Sequence, residues 1–418
     1  MPKRCPIAKK SVLSCAGLAC ALLNASARMA LADDTDGSSA HEQSASATVA
    51  VLSTPAMAGP LTPSPSPTRF DTGPFGNVFA TGALTGFALW QNNPTLGDRG
   101  AQADLTNAQI FVQKSDGVLQ FFVQGGVYSL PAIGTPYVNS IKTTNDLWGP
   151  IPEAFIKLAP NDNWSIMAGK LPSLVGLEYT FSFQNLNIER GLLWNQTSSV
   201  SRGVQLNHSV GPISLALSWN DGFYSDQLSW LSGSATWKVD SANSFAVIWA
   251  GNTRTTTVST TATPLFQNNS RIYNVIYTNN YGPWTLSPYL QYTYVPRALS
   301  IGVLHDAATY GAALLVNYAF DSALKVGALS LAGFSLPFRI EYIASTGNVA
   351  DGAPNLMYGA GSMAWSIAVT PTYQYKRFFA RAEFSYVGAS NTKPGFAFGP
   401  MGTNTRQARF LLESGFLF

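Results

Sequence analysis

Thr405–Phe418 reads TRQARFLLESGFLF, and the spacing of its apolar residues decides the fold. Taken two at a time, Arg406, Ala408, Phe410, Leu412, Ser414, Phe416 and Phe418 fall on one face. Gln407, Arg409, Leu411, Glu413, Gly415 and Leu417 fall on the other. Successive side chains of a strand point to opposite sides, so this stretch is a strand with an apolar, aromatic face and a face carrying Gln, Arg and Glu. A half-buried strand of a soluble sandwich alternates in the same way. The rest of the chain has to decide between the two.

Composition points to lipid. Charged residues make up 11 % of the 418 residues, against about 25 % in an average soluble domain. Aromatics reach 12 % and glycines number 36. After the first thirty positions no run of eighteen apolar residues occurs, so no transmembrane helix is indicated. Low charge, many aromatics and apolar residues diluted by alternation fit a membrane barrel. In that setting the last strand and its terminal Phe418 resemble the C-terminal segment of bacterial outer-membrane barrels, which their assembly machinery reads.

The N-terminus reads as a leader. Lys3, Arg4, Lys9 and Lys10 precede an apolar stretch, Val12–Leu23. Ala30-Leu31-Ala32 is a small-residue cleavage site, and Ala25-Ser26-Ala27 is a second candidate, so a signal peptide over 1–32 is expected. Cys5, Cys15 and Cys20 all lie within it, leaving the mature chain without a disulfide or thiol chemistry. The full chain has 25 basic residues; removing the leader's five leaves 20 against 22 acidic ones, a formal −2. The basic character of the whole chain is therefore the leader's, and no nucleic-acid partner follows from it. Residues 33–76 are rich in Ser, Ala, Thr and Pro, including GPLTPSPSPT at Gly59–Thr68. Such a segment buries too little to fold and reads as a disordered periplasmic tether. The barrel is expected over 77–418.

From Asn77 onward alternation repeats. Ile213, Leu215, Leu217 and Trp219 interleave with Ser214, Ala216, Ser218 and Asn220. The same pattern runs through 284–294, 365–375 and 378–386. Trp219, Trp230, Trp249 and Trp365 fall at the external ends of their strands, and Trp164, Trp237 and Trp284 at the periplasmic ends. Two interfacial aromatic belts are expected from them.

The connections alternate in length. Ser115–Gly117, Pro160–Asn163, Gly211–Pro212, Asp240–Asn243, Gly282–Pro283 and Lys376–Arg377 are short and rich in turn formers. Between them lie long connections near 92–103, 131–150, 171–197, 221–228, 252–269, 296–306, 346–361 and 390–404, with one blurred turn near 320–333. Outer-membrane barrels have short periplasmic turns and long external loops. The fold expected is an all-β, antiparallel, up-and-down transmembrane barrel of about sixteen strands around an aqueous lumen. A strand edge left open in hydrocarbon would strand its backbone groups, so Thr405–Phe418 should close on Ala83–Gln91.

Few charges sit in strands, and most point inward. Arg339 and Glu341 flank Ile340, Arg381 and Glu383 flank Ala382, and Arg409 and Glu413 share the inner face of the last strand. Their arginines could form one basic wall. Cross-strand pairs that order the wall and a filter for solutes are both open readings. The longest loop, Leu171–Thr197, holds Glu178, Glu189 and Arg190 with Tyr179, Phe181, Phe183 and Trp194. It could fold inward and oppose that wall across a narrow opening, or pack as a lid on the rim.

The run GKLPSLVGLEYTFSFQNLNIERGLLWNQTSSVSRGVQL, Gly169 to Leu206, resembles an outer-membrane β-barrel porin family, the second so designated. The resemblance rests on Gly169-Lys170, Gly176-Leu177-Glu178, Asn187 to Arg190 and Ser199 to Val204. PFRIEYIASTG and FFARAEFSYVG are similar to that family's late strands. Ser345 stands where members often carry an acidic residue. The resemblance spans about 150–415 and implies a pore without naming its solute.

Enzyme chemistry finds little footing. The mature chain's histidines, His41, His208 and His305, are not spaced as metal ligands. Gly359–Ser362 is a glycine-rich loop with no helix after it, so it carries no phosphate-loop meaning. No cofactor is expected. The function expected is passive diffusion of small hydrophilic solutes or ions across the outer membrane of a Gram-negative bacterium. Glu178, Glu189, Arg190, Arg339, Glu341, Arg381, Glu383, Arg409 and Glu413 are the expected pore-lining set. The alternatives are a channel selective for sugars or aromatic acids, and an outer-membrane enzyme or structural barrel. The expected partners are membrane lipid, the barrel assembly machinery and, as an open possibility, two further copies in a homotrimer.

Overall fold

In the computed structural model the alternation closes into a ring. Residues 55–64, 66–320, 325–326 and 329–418 are described, with backbone alone at 325–326 and 329–330. The expected leader, residues 33–54 of the expected tether and positions 321–324 and 327–328 of the blurred turn lie outside them.

Sixteen antiparallel strands form the ring among the described residues. They are β1 Asn77–Gln91, β2 Ala101–Lys114, β3 Leu119–Tyr128, β4 Ala154–Asn161, β5 Trp164–Pro172, β6 Val200–Val210, β7 Ile213–Asn220 and β8 Trp230–Lys238. The second half is β9 Asn243–Asn252, β10 Arg271–Tyr281, β11 Trp284–Val295, β12 Ala307–Ala319, β13 Phe334–Ser345, β14, β15 Phe378–Ser390 and β16 Arg406–Leu417. β14 is two pieces, Met363–Val369 and Thr372–Tyr375, parted where Pro371 has no N–H to give the ladder. β16 closes on β1, with Ala83 opposite Leu417 through to Gln91 opposite Arg409. The turns fall where turn chemistry puts them. Gly117, Gly211 and Gly282 sit at φ +71, +54 and +54°, a region glycine enters without a Cβ penalty.

Alternation sorts the two faces. Leu84, Ile156, Leu217, Leu290, Ile340, Phe384 and Phe416 stand exposed on the outside. An apolar surface of that extent around a closed sheet is a lipid-facing belt. The even positions of β16 form its outer face and the odd ones its inner face, as TRQARFLLESGFLF implies. Trp219, Trp249, Trp365, Trp164, Trp237 and Trp284 are all exposed on that outer surface.

Trp230 is not. It points inward, is 1 % exposed, packs on Phe223 and donates its indole N–H to the Asn268 carbonyl at 2.8 Å. Trp230 and Trp237 stand seven residues apart on one strand, an odd separation, so they cannot share a face. It leaves the expected external belt and becomes part of the filling of the lumen.

Phe418 finishes the seam. Its N–H and carbonyl exchange hydrogen bonds with Gly82 at 3.0 and 2.7 Å, and its ring lies where a Cβ on Gly82 would sit, 2.4 Å away. Removing Phe418, or filling its seat with Gly82→Leu, should lower the yield of heat-modifiable barrel in membranes. Normal yield of both variants would show that the terminal ring is dispensable for assembly.

The segment expected to hang free as a tether up to residue 76 instead has a defined path from 55 to 76, apart from Pro65. Thr68–Asp71 pairs with β1, Thr68 opposite Ala80 and Asp71 opposite Asn77, beyond the end of β16. Upstream of it Leu61 is buried in one apolar cluster with Ala83, Phe379 and Leu417, all inward-facing. Residues 55–64 therefore run inside the barrel.

Candidate functional site: the loop across the lumen

The connection from β5 to β6, residues 173–199, leaves the wall through a narrow neck. The Ser173 N–H bonds the Ser199 carbonyl at 2.9 Å, and the Ser173 and Ser198 hydroxyls meet at 2.9 Å. Beyond the neck almost every side chain from Thr180 to Leu193 is buried. A surface loop would be exposed, so this one has folded into the lumen.

One edge is held by charge. Glu178 meets Arg339 at 2.7 Å, and Glu189 pairs with Arg409. Arg339 also bonds the Glu189 carbonyl at 2.7 Å and approaches Glu341 at 3.2 Å. The loop backbone adds its own donors. Ile188 and Glu189 N–H groups point at Glu383, Gly191 N–H at Glu178, and Leu192 and Leu193 N–H groups at Glu341. Gly191 is what permits this approach, since a Cβ there would lie 2.1 Å from Glu341 Oε1. Arg381 pairs with Glu413, directly opposite it on β16, and donates to the Ser182 and Asn185 carbonyls at 2.6 and 3.1 Å. Thr106 and Ser182 hydroxyls complete Glu413. Pairing and hydrogen bonds of this kind are what offset the cost of burying these charges. Burial pushes the Glu178 carboxyl upward, and Arg339 pulls against it.

The other edge is neutral. Gly176 N–H bonds the Asn274 carboxamide at 3.0 Å, Gln291 donates to the Leu193 carbonyl at 3.0 Å, and Thr309 donates to Gln196 at 2.7 Å. Val175, Leu186, Leu192 and Leu193 join inward residues Ile276, Tyr289, Ala313 and Leu315 of β10–β12 in one apolar cluster. A third sector, Phe181 and Phe183, packs against Phe111, Phe122 and Tyr128 of β2 and β3. The loop thus spans the lumen as a diaphragm, ion-paired on β13–β16 and apolar on β10–β12.

All nine expected residues come together at this diaphragm, but not as free charges beside water. Glu189, Arg190 and Arg339 are 0 % exposed, and Glu341, Arg381, Glu383, Arg409 and Glu413 are buried with them. The Glu178 side chain is 7 % exposed. The expected opening between loop and basic wall is closed by direct contact, because carboxylates and guanidinium groups this close lose more by staying apart in a low dielectric than by meeting. Arg190 stands apart from the pairs. Its guanidinium lies 4.8 Å over the Trp194 ring, and burial lowers its pKa to about 10. Its backbone pairs with the β3–β4 connection, through the Pro131 carbonyl and the Ile133 N–H.

Sequence reading missed the neutral partners. Asn274, Gln291, Asn107 and Thr370 hold the loop through amides and hydroxyls, with Asn187 donating to Thr370 at 2.7 Å and Asn107 to Ser182 at 3.0 Å. The signal of the three amides was available as Asn and Gln at inward strand positions, whereas Thr370 lies between the two pieces of β14. Which of them meet the loop depends on contacts that span 75 to 183 residues.

The closed barrel is a fold that known proteins share. The family described as "Putative beta-barrel porin-2, OmpL-like" matches residues 78–418. The chain belongs to that family. It is an outer-membrane porin of a Gram-negative bacterium. A search of curated proteins finds no match. Among solved structures, this porin is similar to an anion-selective porin from Comamonas acidovorans, at 11 % identity and TM-score 0.53 over 82 % of this chain and 99 % of that one. It is similar to in-vitro folded OmpT of Vibrio cholerae, at 10 % identity and TM-score 0.53 over 83 % and 99 %. Salmonella typhi OmpF in complex with daunomycin gives 14 % identity and TM-score 0.50 over 82 % and 98 %. Identities this low bear on the fold alone.

The porin's two mouths differ. On the external side a cavity of about 380 Å³ opens above the diaphragm, lined by Leu192, Asn195, Gln196, Tyr358, Phe396 and Gln267 among others. Among the described residues no charged side chain lines it, whereas a second external cavity beside it, of about 520 Å³, takes in Asp98, Arg99, Asp104 and Lys142. At the periplasmic end a cavity of about 820 Å³ lies beside β2–β6 and takes in Lys157, Ser165, Met167 and Asn207.

Proposed function

We propose that this porin passes small uncharged hydrophilic solutes, and that the diaphragm 173–199 sets the width of the path. The observation that carries this reading is the uncharged external cavity directly above the loop, in the volume range of small-ligand sites. Amides and aromatic faces suit hydroxyl-bearing solutes better than ions. The charged residues other than Arg190 act in this reading as the loop's anchor, and ion preference should be weak because the cluster is buried and its four arginines nearly balance its five carboxylates. Proteoliposome swelling tests it. Neutral sugars and polyols should enter faster than monocarboxylic acids of equal size, with a reversal potential near zero in a salt gradient. Faster entry of the acids, or a strong ion preference, would contradict the reading.

The same reading makes the chain a channel and not an enzyme. His208, the histidine nearest a strand end, stacks on Trp164 at 3.9 Å on the outer surface and meets the Asn163 carbonyl at 3.2 Å. That is an interfacial position and not a site facing solute. We further propose a homotrimer, supported by the trimer form of in-vitro folded OmpT of Vibrio cholerae, which shares this fold. Assembly through the β16–Phe418 segment belongs to the same proposal.

A further inference from the structure

Residues 55–64, PAMAGPLTPS, occupy a seat built for an extended peptide. At one end Ala58 and Gly59 both donate to the Gln184 carbonyl, at 2.9 and 3.1 Å, and the Gln184 side chain donates to the Ala56 carbonyl at 3.1 Å. At the other end the Gln374 carboxamide accepts from the Thr62 N–H at 2.8 Å and donates to the Thr62 carbonyl at 2.9 Å. One side chain thereby reads both backbone groups of one residue, as a neighbouring strand would. Between the two ends Leu61 is 1 % exposed, and Met57 packs on the same cluster. Gly59 runs so close to the diaphragm that a Cβ would lie 2.3 Å from the Asn185 carbonyl oxygen.

These contacts recognise backbone and shape, with Leu61 and Met57 as apolar anchors. The segment is uncharged, and Pro55, Pro60 and Pro63 keep it extended and cheap to order. It bears on Gln184 and Asn185, so it props the diaphragm from the periplasmic side. Two apolar side chains and a few hydrogen bonds must offset the ordering of ten residues, which makes the seat one that can empty.

We propose that the periplasmic half of the lumen is a binding seat for an extended, uncharged, proline-rich peptide, filled in this porin by its own residues 55–64, and that emptying it widens the channel. The widening rests on the channel reading, whereas the seat does not. The test uses the full chain carrying Thr62→Cys and Gln374→Cys, since Cys5, Cys15 and Cys20 lie within the first 20 positions and the barrel has no other cysteine. A short, reducible bifunctional thiosulfonate should join the pair, seen by intact mass. The joined channel should hold one low conductance level in planar bilayers and step upward on reduction. Leu61→Asp should give the higher level without any reagent, and a synthetic peptide of residues 55–66 added on the periplasmic side should lower it again. A pair that fails to join, while a control pair on adjacent strands joins, overturns the seat. A pair that joins but conducts alike before and after reduction, with Leu61→Asp unchanged, overturns the gating. A barrel that passes no current in any state counts against the channel reading itself, and the mass measurement still decides the seat.

Discussion

Arg339→Ala should unseat the diaphragm and raise single-channel conductance more than any other single substitution along the charged edge. Arg339 is 0 % exposed and is the one cation shared by Glu178 on the loop and Glu341 on the wall. Removing it leaves two buried carboxylates without their counter-charge, and breaking a buried pair by deleting one partner costs about 3–5 kcal/mol. The loop can recover that cost by letting Glu178 swing into water, which pulls the 188–193 backbone away from Glu341 and Glu383. The barrel wall should survive, because its strand ladder does not depend on the pair. Combining Arg339→Met with Glu178→Gln and Glu341→Gln removes all three charges together and should restore much of the lost stability. Thermal unfolding of the purified porin and conductance in planar bilayers read the two effects. Equal conductance of Arg339→Ala and the native porin would mean that the loop is held by its apolar edge alone.

The second large effect is expected from the neutral edge. Gly311 on β12 faces inward, and a Cβ there would lie 2.8 Å from Leu193 Cγ. Gly311→Val should act as a wedge that lifts Leu193, and with it the Gln291 hydrogen bond, off the wall. Overpacking a filled site costs about 1–3 kcal/mol, less than breaking the charged edge. Conductance should rise while the ion pairs on β13–β16 stay intact. Leu193 also donates to Glu341, the partner of Arg339, so the rises in Gly311→Val and in Arg339→Ala should combine to more than either alone but less than their sum. A double variant no more conducting than either single one would indicate a single hinged release.

Much of this was legible in the sequence, for a local reason. Strand faces are set by parity, which a reader can count, so the closure of Ala83–Gln91 on Leu417–Arg409 and the inward arginines follow from short stretches. Trp230 shows the limit of reading residue types without parity. Its place seven residues before Trp237 already assigns it to the lumen, although its position at a strand end suggests a belt. The path of 173–199 was legible only as an unusual length and apolar content. Its partners are set by tertiary contacts, such as Arg381 with Ser182 across 199 residues, that no local period encodes. Residues 55–64 were read as a free tether because their composition cannot build a core. They are ordered by a seat that the barrel supplies, which composition does not reveal.

The central claim is that the charged residues other than Arg190 rivet the diaphragm to β13–β16, and that none of the nine faces the solute path. Cysteine accessibility tests it most directly. Ser385 lies beneath the charged edge, bonded to Glu189 at 2.6 Å and buried, whereas Thr236 on β8 faces the lumen and is half-buried. Single cysteines at each position should be exposed to a charged, water-soluble methanethiosulfonate while current is recorded. Thr236→Cys should be modified quickly with a fall in current, and Ser385→Cys should remain unmodified over the same period. Equal rates of modification at the two positions would place the charged edge in the water-filled path and contradict the account.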